Sequence, residues 1–353
     1  MKLNKLLLVG LIAFGAGTAA SAETVIKVTI AAGHPPVARW VKHTSKTFIP
    51  AVDKALEGSG YRIEWKEQYA GTLAKVGGVL EAVEEGIAEV GLVSSLFEQS
   101  KLSIQNVTYY TPFVSPHAAQ ISDLVDSLHF TEEAMRSTWE ANGLVYLGGA
   151  IGIDDYLLMT NFPVKSIDDL KGHQIAAPGA AATWLSGTGA VAVGGNLTTY
   201  YNNIKNHTYD GTIVFASAAL PFKLYEVAPY ITKVHFGAQY AGGLAANVDW
   251  FESQPEVVQK ALMDAGVAYR AAYNKDLDEA VANALKVMAS KGAKITELDE
   301  ATRKKWAAGM DNAAKVWATK LDSQGQPGTK ILKIYMESMR AAGAKPLRDW
   351  DKE

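Results

Sequence analysis

Short apolar runs rich in β-branched residues alternate along this chain with longer stretches of helical periodicity. The runs that we predict as strands cover residues 25–31, 61–65, 90–93, 144–150, 155–159, 174–177, 211–215 and 234–238. The predicted helices cover residues 38–56, 73–85, 116–128, 131–142, 199–206 and 255–291. This alternation favours an α/β fold with mostly parallel strands.

The strongest helical periodicity runs from Pro255 to Lys291. Ser253 and the two residues after it supply a cap and a proline for the first turn, and no strong breaker follows before Gly292. A helix of this length can brace two lobes. An ordinary amphipathic surface helix is equally compatible with the pattern.

The length of the chain suggests about two domains. Its 353 residues, 48% of them hydrophobic, are enough to bury a large core. We find no low-complexity linker between the two halves, which fits domains made from interleaved segments. A cleft between two lobes follows from such a path of the chain.

The first residues predict export. Lys2 and Lys5 precede an apolar run from Leu6 to Phe14, and Ala20-Ser21-Ala22 provides the small residues of a cleavage site before Glu23. We therefore expect residues 1–22 to be a signal peptide and the mature protein to be periplasmic. No later stretch reaches the roughly 20 apolar residues of a membrane span, so we expect no direct membrane insertion.

Charge and residue types argue against several functional classes. The formal net charge of −3 gives no basic surface for nucleic acid, and the absence of cysteine excludes disulfides and thiolate sites. The seven histidines contain no His-Glu-x-x-His pair, and no Gly-x-Ser-x-Gly elbow occurs. The Gly187–Ala192 segment resembles a dinucleotide loop only loosely. We predict no metal, no cofactor and no enzymatic activity, with a periplasmic hydrolase or lyase as the alternative from another class.

Ligands of open α/β sheets bind beyond the carboxyl ends of strands. The candidate residues at these positions are His34, Tyr69, Asp154, Asp155, Tyr156, Ala176 and Phe215. A carboxylate among aromatic rings suits an ammonium group, so Asp154 and Asp155 are candidates to bind a cation. The same pair also fits a solvated turn before a strand, and His34 could serve only to order its loop.

A longer motif carries a resemblance to a known family. Asp168-Asp169-Leu170-Lys171-Gly172-His173-Gln174-Ile175-Ala176-Ala177-Pro178-Gly179 forms a turn and a strand, and Tyr209-Asp210-Gly211 opens a later strand. Four further segments occur in a fixed order with these two: Gly33-His34-Pro35, Gly71-Thr72-Leu73, residues 85–91 and residues 221–232. This order resembles that of the solute-binding receptors of tripartite ATP-independent periplasmic (TRAP) transporters.

The resemblance implies an α/β, two-lobed periplasmic binding protein (type II-like). It also implies mixed sheets flanked by helices, a ligand cleft between the lobes and a long bracing helix. We place residues 23–149 and about 237–275 in lobe I, and residues 150–236 and about 276–353 in lobe II. The resemblance also adds Trp40, Trp184 and Tyr240 to the candidate ligand contacts, although tryptophans on helices more often pack in a core.

The partners implied by the resemblance are a small-molecule organic solute and the integral-membrane TRAP transporter subunits, one small and one large. Uptake would then be driven by an ion gradient. A chemosensory receptor that signals to a membrane sensor is an alternative role for the same fold.

Two positions of the resembled motif lack their usual polar residue. In the family, the strand after the Asp-Leu-Lys-Gly turn usually carries an arginine that clamps a substrate carboxylate, and Ala176 occupies that position here. An asparagine that often binds substrate is replaced by Val214. Because burying an unpaired carboxylate costs several kcal/mol, we expect a small amine, alcohol or zwitterion, such as an ethanolamine-like compound. A larger apolar or aromatic solute is one alternative ligand. Another is an organic acid held by another cation or by backbone donors at a helix N-terminus.

Overall fold

The computed structural model describes residues 23–353, so the expected signal peptide lies outside the described residues. Thirteen strands occur in these residues: β1 (Thr24–Ala31), β2 (Tyr61–Gln68), β3 (Val90–Val93), β4 (Leu144–Tyr146), β5 (Gly152–Ile153), β6 (Tyr156–Thr160), β7 (Gln174–Ala177), β8 (Val191–Gly194), β9 (Gly211–Phe215), β10 (Tyr230–Lys233), β11 (Gln239–Tyr240), β12 (Gly243–Asn247) and β13 (Lys294–Glu297).

The helices cover most of the remaining chain. They are α1 (Arg39–His43), α2 (Ile49–Leu56), α3 (Val79–Glu84), α4 (Val107–Tyr110), α5 (Ala118–Thr131), α6 (Glu133–Glu140), α7 (Leu197–Lys205), α8 (Ala216–Ala219), α9 (Val248–Ser253), α10 (Glu256–Ser290), α11 (Glu300–Gly309), α12 (Ala313–Ser323) and α13 (Gly328–Ala341). A π-helical turn at Thr44–Phe48 joins α1 to α2. Short 3-10 turns lie at Ser95–Phe97, Ser103–Asn106, Ile167–Leu170, Gly179–Leu185 and Leu224–Glu226. Across residues 23–353, no helix has both the length and the apolar character of a membrane span.

The strands form two large sheets, each the centre of one lobe. The first sheet has the order β2-β1-β3-β12-β4, and the second has the order β13-β10-β6-β9-β7-β8. Because β12 comes late in the chain, the backbone returns to the first sheet after building most of the second. The architecture is therefore a two-lobed α/β fold with mixed sheets flanked by helices, as the sequence predicts.

The strand directions correct one expectation. We expected mostly parallel strands, but β12 runs antiparallel to β3 and β4, and β6 runs antiparallel to β9 and β10. These strands enter their sheets from the segments that cross between the lobes, so they run opposite to strands delivered by helical crossovers. Every residue of β6 and of β9 is buried, because both faces of the second sheet are covered.

The predicted strand at residues 234–238 is wrong. The strand lies earlier, at Tyr230–Lys233, and the next residues are irregular. His235 has φ 56° and Gly237 has φ 100°, and neither backbone conformation can continue a pleated strand. The predicted strand 144–150 likewise ends at Tyr146, and the predicted helix 73–85 begins only at Val79.

The helix α10 spans 35 residues, within one residue of the prediction at each end, and is about 52 Å long. It packs against α1 and α2 beside the first sheet and against α8 beside the second. Its Tyr273 hydroxyl donates to the carbonyl of Gly152 (2.7 Å), which lies in a segment crossing between the sheets. The helix therefore contacts both lobes and the connection between them.

Two extended segments, residues 147–155 and 234–242, connect the sheets, and β5 pairs with β11 inside them. The C-terminal helices α12 and α13 pack against each other and against α4 and α5. The residues at which the lobes divide stay a prediction.

Candidate ligand-binding site

A small cavity lies where the carboxyl ends of strands from both sheets meet. Its wall includes Trp40 on α1, close after β1. On the opposite side it includes Tyr156 at the start of β6 and Phe215 at the end of β9. The cavity therefore lies at the position where ligands of open α/β sheets bind.

Aromatic rings form a continuous row across the cavity. The ring centroids of Trp40 and Phe215 lie 6.0 Å apart, and those of Phe215 and Tyr156 lie 5.1 Å apart. His34 meets the edge of Trp40 at 5.2 Å. Ring pairs at these distances add favourable energy to that of their buried area. The row joins a residue of the first lobe to residues of the second, so ligand binding can depend on both.

Three tyrosine hydroxyls supply polar groups at the wall. The hydroxyls of Tyr109 and Tyr156 lie 2.8 Å apart and share one hydrogen bond. Tyr200 is only 1% exposed, and its hydroxyl has no hydrogen-bond partner within the described part of the chain. The hydroxyl of Thr212 lies near it but donates to the carbonyl of Ile213.

The cavity wall carries no formal charge. Among residues 23–353, no lysine, arginine, aspartate or glutamate lines it. His34 is buried, and burial lowers the pKa of its imidazole to about 4, so this ring is neutral at pH 7. The remaining polar residues of the lining are Ser94 and Asn196, which are also uncharged.

Four of the predicted site residues line the cavity: His34, Trp40, Tyr156 and Phe215. The other six lie outside its lining: Tyr69, Asp154, Asp155, Ala176, Trp184 and Tyr240. Direct ligand contact by any of the ten stays a prediction. The structure does show what each of the six contacts instead.

The two aspartates bind protein groups. The carboxylate of Asp154 accepts hydrogen bonds from the backbone N–H of Ser217 (3.1 Å) and from its hydroxyl (2.5 Å). Burial raises the pKa of Asp154 to about 6. Asp155 forms an ion pair with His235 and accepts the N–H of Gly237 (2.9 Å). Both carboxylates therefore fasten the connection between the lobes, and neither faces the cavity.

The three remaining aromatic residues pack behind the wall. The Tyr69 hydroxyl accepts a hydrogen bond from Thr44 (2.7 Å). Trp184 stacks on Tyr109 at 5.8 Å, and its indole N–H donates to the Tyr109 carbonyl (2.7 Å). Tyr240 is fully buried against His129. Of the three, Trp184 directly supports a lining residue, Tyr109.

Ala176 is fully buried on β7, beneath the residues that follow β8. A Cβ atom placed on Gly195 would lie 3.6 Å from the Ala176 methyl and 2.6 Å from Cε1 of Tyr200. The Tyr200 ring therefore rests on the bare backbone of Gly195 and close to Ala176. The small residues Gly195 and Ala176 leave space for the Tyr200 ring.

Sequence reasoning missed Tyr109, Asn196 and Tyr200 as lining residues. Asn196 caps α7: its side chain accepts the N–H of Thr198 (2.9 Å), and Thr199 completes a capping box. This capping pattern is readable in the sequence and would have marked a helix N-terminus next to the cavity. For Tyr109, which lies on the four-residue helix α4, we find no comparable signal.

The described residues contain no cluster of three or more histidine or carboxylate groups that could hold a metal ion. The wall combines aromatic and aliphatic side chains with uncharged donors and acceptors. Such a site can bind a solute by stacking and hydrogen bonding.

Solved structures share this fold. A TRAP periplasmic solute-binding protein from Bordetella bronchiseptica with bound (R)- and (S)-mandelate has a TM-score of 0.76 and 19% identity, covering 90% of this chain and 99% of that chain. One from a Sulfitobacter species with bound β-D-galacturonate has a TM-score of 0.74 and 18% identity, covering 88% and 100%. The periplasmic ectoine-binding protein of a Halomonas elongata TRAP transporter has a TM-score of 0.73 and 16% identity, covering 90% and 100%.

A comparison with curated proteins found no match. The model of the DctP family, described as bacterial extracellular solute-binding protein, family 7, matches residues 40–320, which is more than half of the chain. This chain therefore belongs to the DctP family of bacterial extracellular solute-binding proteins.

Proposed function

We propose that this TRAP periplasmic solute-binding receptor captures a small organic solute in the interlobe cavity without a carboxylate clamp. The observation that carries the proposal is the lining itself, which joins both lobes and contains uncharged side chains. A ligand that touches Trp40 and Phe215 together favours the closed arrangement of the lobes. The small and large membrane subunits of a TRAP transporter would then receive the solute.

The three solute classes expected from the sequence, amines, alcohols and zwitterions, do not fit the cavity equally well. A simple amine lacks a carboxylate partner, because the carboxylate of Asp154 is engaged by Ser217. An alcohol finds partners in the hydroxyl of Tyr200 and in the Tyr109–Tyr156 pair. A zwitterion would have to satisfy two charges with neutral groups. We therefore favour a hydroxyl-bearing solute.

An organic acid is the second candidate, held by backbone donors at the start of α7. The N–H groups of Thr198 and Thr199 already bond to the side chain and the carbonyl of Asn196. A carboxylate bound there would have to displace this cap, at a cost of about 1 kcal/mol. The acid is thus less favoured than a neutral solute.

A thermal-shift screen of the mature protein against alcohols, amines, zwitterions and carboxylates tests the proposal, because a ligand that binds only the folded form raises the melting temperature. Phe215→Ala should abolish the shift. Phe130→Ala, a matched change of an aromatic residue that is 50% exposed and outside the lining, should preserve it.

A second measurement separates receptor from enzyme and sensor. The bound solute should be recovered unchanged after incubation. Its uptake by cells should require this chain together with the small and large membrane subunits. Conversion of the solute, or uptake that is independent of those subunits, would contradict the proposal.

A further inference from the structure

We infer that the captured solute is an uncharged ring compound bearing hydroxyl or carbonyl groups, with its ring against Trp40 and Phe215 and a polar group on the Tyr200 hydroxyl. This inference rests on the proposed function and names the chemical class of the ligand. It follows from three separate observations on the cavity wall.

The first observation concerns the shape and surface of the wall. Trp40, Phe97, Tyr156 and Phe215 line the same small space, alongside aliphatic side chains. Flat apolar surfaces of this kind stack well on aromatic rings and on the apolar faces of saturated or sugar rings. A linear or strongly hydrated solute would leave these surfaces uncovered.

The second observation is the unpaired hydroxyl of Tyr200. This side chain is 1% exposed and lines the cavity, and its hydroxyl, which lies close to that of Thr212, makes no hydrogen bond of good geometry among residues 23–353. A buried hydroxyl without a partner is unfavourable, and native structures rarely leave one unexplained. A hydroxyl or carbonyl oxygen of a bound solute would accept its hydrogen bond.

Further polar groups surround the same space. In the Tyr109–Tyr156 pair one hydroxyl proton forms the mutual bond, and the other stays available. Neutral His34 offers one donor and one acceptor, and the Asn196 amide NH₂ has no hydrogen bond within the described residues. A solute with more than one hydroxyl or carbonyl group could bond to several of them.

The third observation is the absence of compensating charge. No cationic or anionic side chain of the described residues faces the cavity. A carboxylate would lose its hydration without gaining a cationic partner, and an ammonium group would gain ring faces and neutral acceptors but no carboxylate. Charged solutes therefore bind less well than neutral ones with the same ring.

Matched series of compounds test the inference by calorimetry and tryptophan fluorescence. One series is 1-phenylethane-1,2-diol, mandelate and 2-amino-1-phenylethanol, and another is galactose, galacturonate and galactosamine. A wider library of neutral, anionic and cationic ring compounds extends both. We expect the neutral member to bind at least tenfold more tightly than its charged analogues.

Tighter or equal binding of a charged member overturns the inference and leaves the proposed function intact. Failure of every compound in the library counts against the proposed function itself, and the inference falls with it. The two failures are therefore distinguishable.

The variant Tyr200→Phe removes only the unpaired hydroxyl. We expect at least a tenfold loss of affinity for the neutral ligand, with an unchanged or higher melting temperature of the unliganded protein. Tyr201→Phe is the matched control on the same helix, since the Tyr201 hydroxyl bonds to Glu226 outside the cavity lining. Unchanged affinity in Tyr200→Phe would overturn the inference.

Discussion

The hydroxyls of Tyr109 and Tyr156 lie 2.8 Å apart at the wall of the ligand cavity. Tyr109 comes from the short helix α4 and Tyr156 from the first residue of β6, so the contact joins elements far apart in the chain. Burial raises the pKa of both phenols, which keeps them protonated. Trp184 packs against both rings from behind and holds them in place.

Removal of one of these two hydroxyls should destabilise the protein. Tyr109→Phe leaves the buried Tyr156 hydroxyl without its partner, at a cost of about 1–3 kcal/mol in the free energy of unfolding. The double variant, with phenylalanine at both positions, should lose less than the sum of the single variants because no group is left unpaired. Urea unfolding of the four proteins measures the coupling, and strict additivity would contradict this account.

Gly195→Ala should reduce ligand affinity. The new methyl would lie 2.6 Å from Cε1 of Tyr200, so the tyrosine ring must shift. We expect at least a tenfold weaker binding of the solute, since the ring borders the cavity. Gly194→Ala is the matched control: a Cβ atom there meets nothing within 4 Å. Calorimetry with both variants separates the local clash from a general effect of alanine in this loop.

Asp154→Asn should affect stability and not ligand selectivity. The carboxylate accepts two hydrogen bonds from Ser217, and an amide can accept only on its oxygen. We expect a loss of about 1–3 kcal/mol in the free energy of unfolding. The relative affinities for amines and neutral compounds, measured by calorimetry, should stay as in the parent protein. Selective loss of amine binding would instead support a cation pocket at Asp154.

The elements of the fold were more predictable than the residues of the cavity. Val90–Val93, Gln174–Ala177 and Gly211–Phe215 have the predicted strand boundaries, and α10 deviates by one residue at each end. These segments are set by local periodicity and by flanking glycine, proline and caps, all of which are visible in the sequence. The strand Val191–Gly194 was missed because it is an edge strand without alternation of buried and exposed residues.

The cavity depends on contacts that no local pattern encodes. Asp154 lies in the turn before β6 that the sequence indicates, but its carboxylate bonds to Ser217, 63 residues later. Tyr200 lines the cavity only because Gly195 and Ala176 leave space for its ring. Side-chain direction at the ends of strands is a result of tertiary packing, so the sequence indicates the neighbourhood of the site and not its lining.

His235 gives a pH dependence of stability whose sign follows from its partners. It lies in a crossing segment, forms ion pairs with Asp155 and with Glu297 (3.0 Å), and has Arg303 nearby. The hydrogen bond to Asp155 is the largest cause of its raised pKa, while burial and Arg303 oppose it. The folded protein therefore binds this proton more tightly than the unfolded chain, whose histidine pKa is about 6.5.

The stabilisation from His235 should be fully present below about pH 6.5 and should be lost as the pH rises through the raised pKa of the folded state. His235→Asn removes it, and asparagine tolerates the left-handed backbone at this position, where φ is 56°. The difference in melting temperature between parent and variant should thus be largest at pH 5–6 and shrink as the pH rises through the raised pKa of His235. His117→Asn, at an exposed histidine, should show no such trend. A difference that grows with rising pH would contradict the assignment of the proton to His235, because an ion pair that requires a charged imidazole cannot strengthen as the imidazole loses its charge.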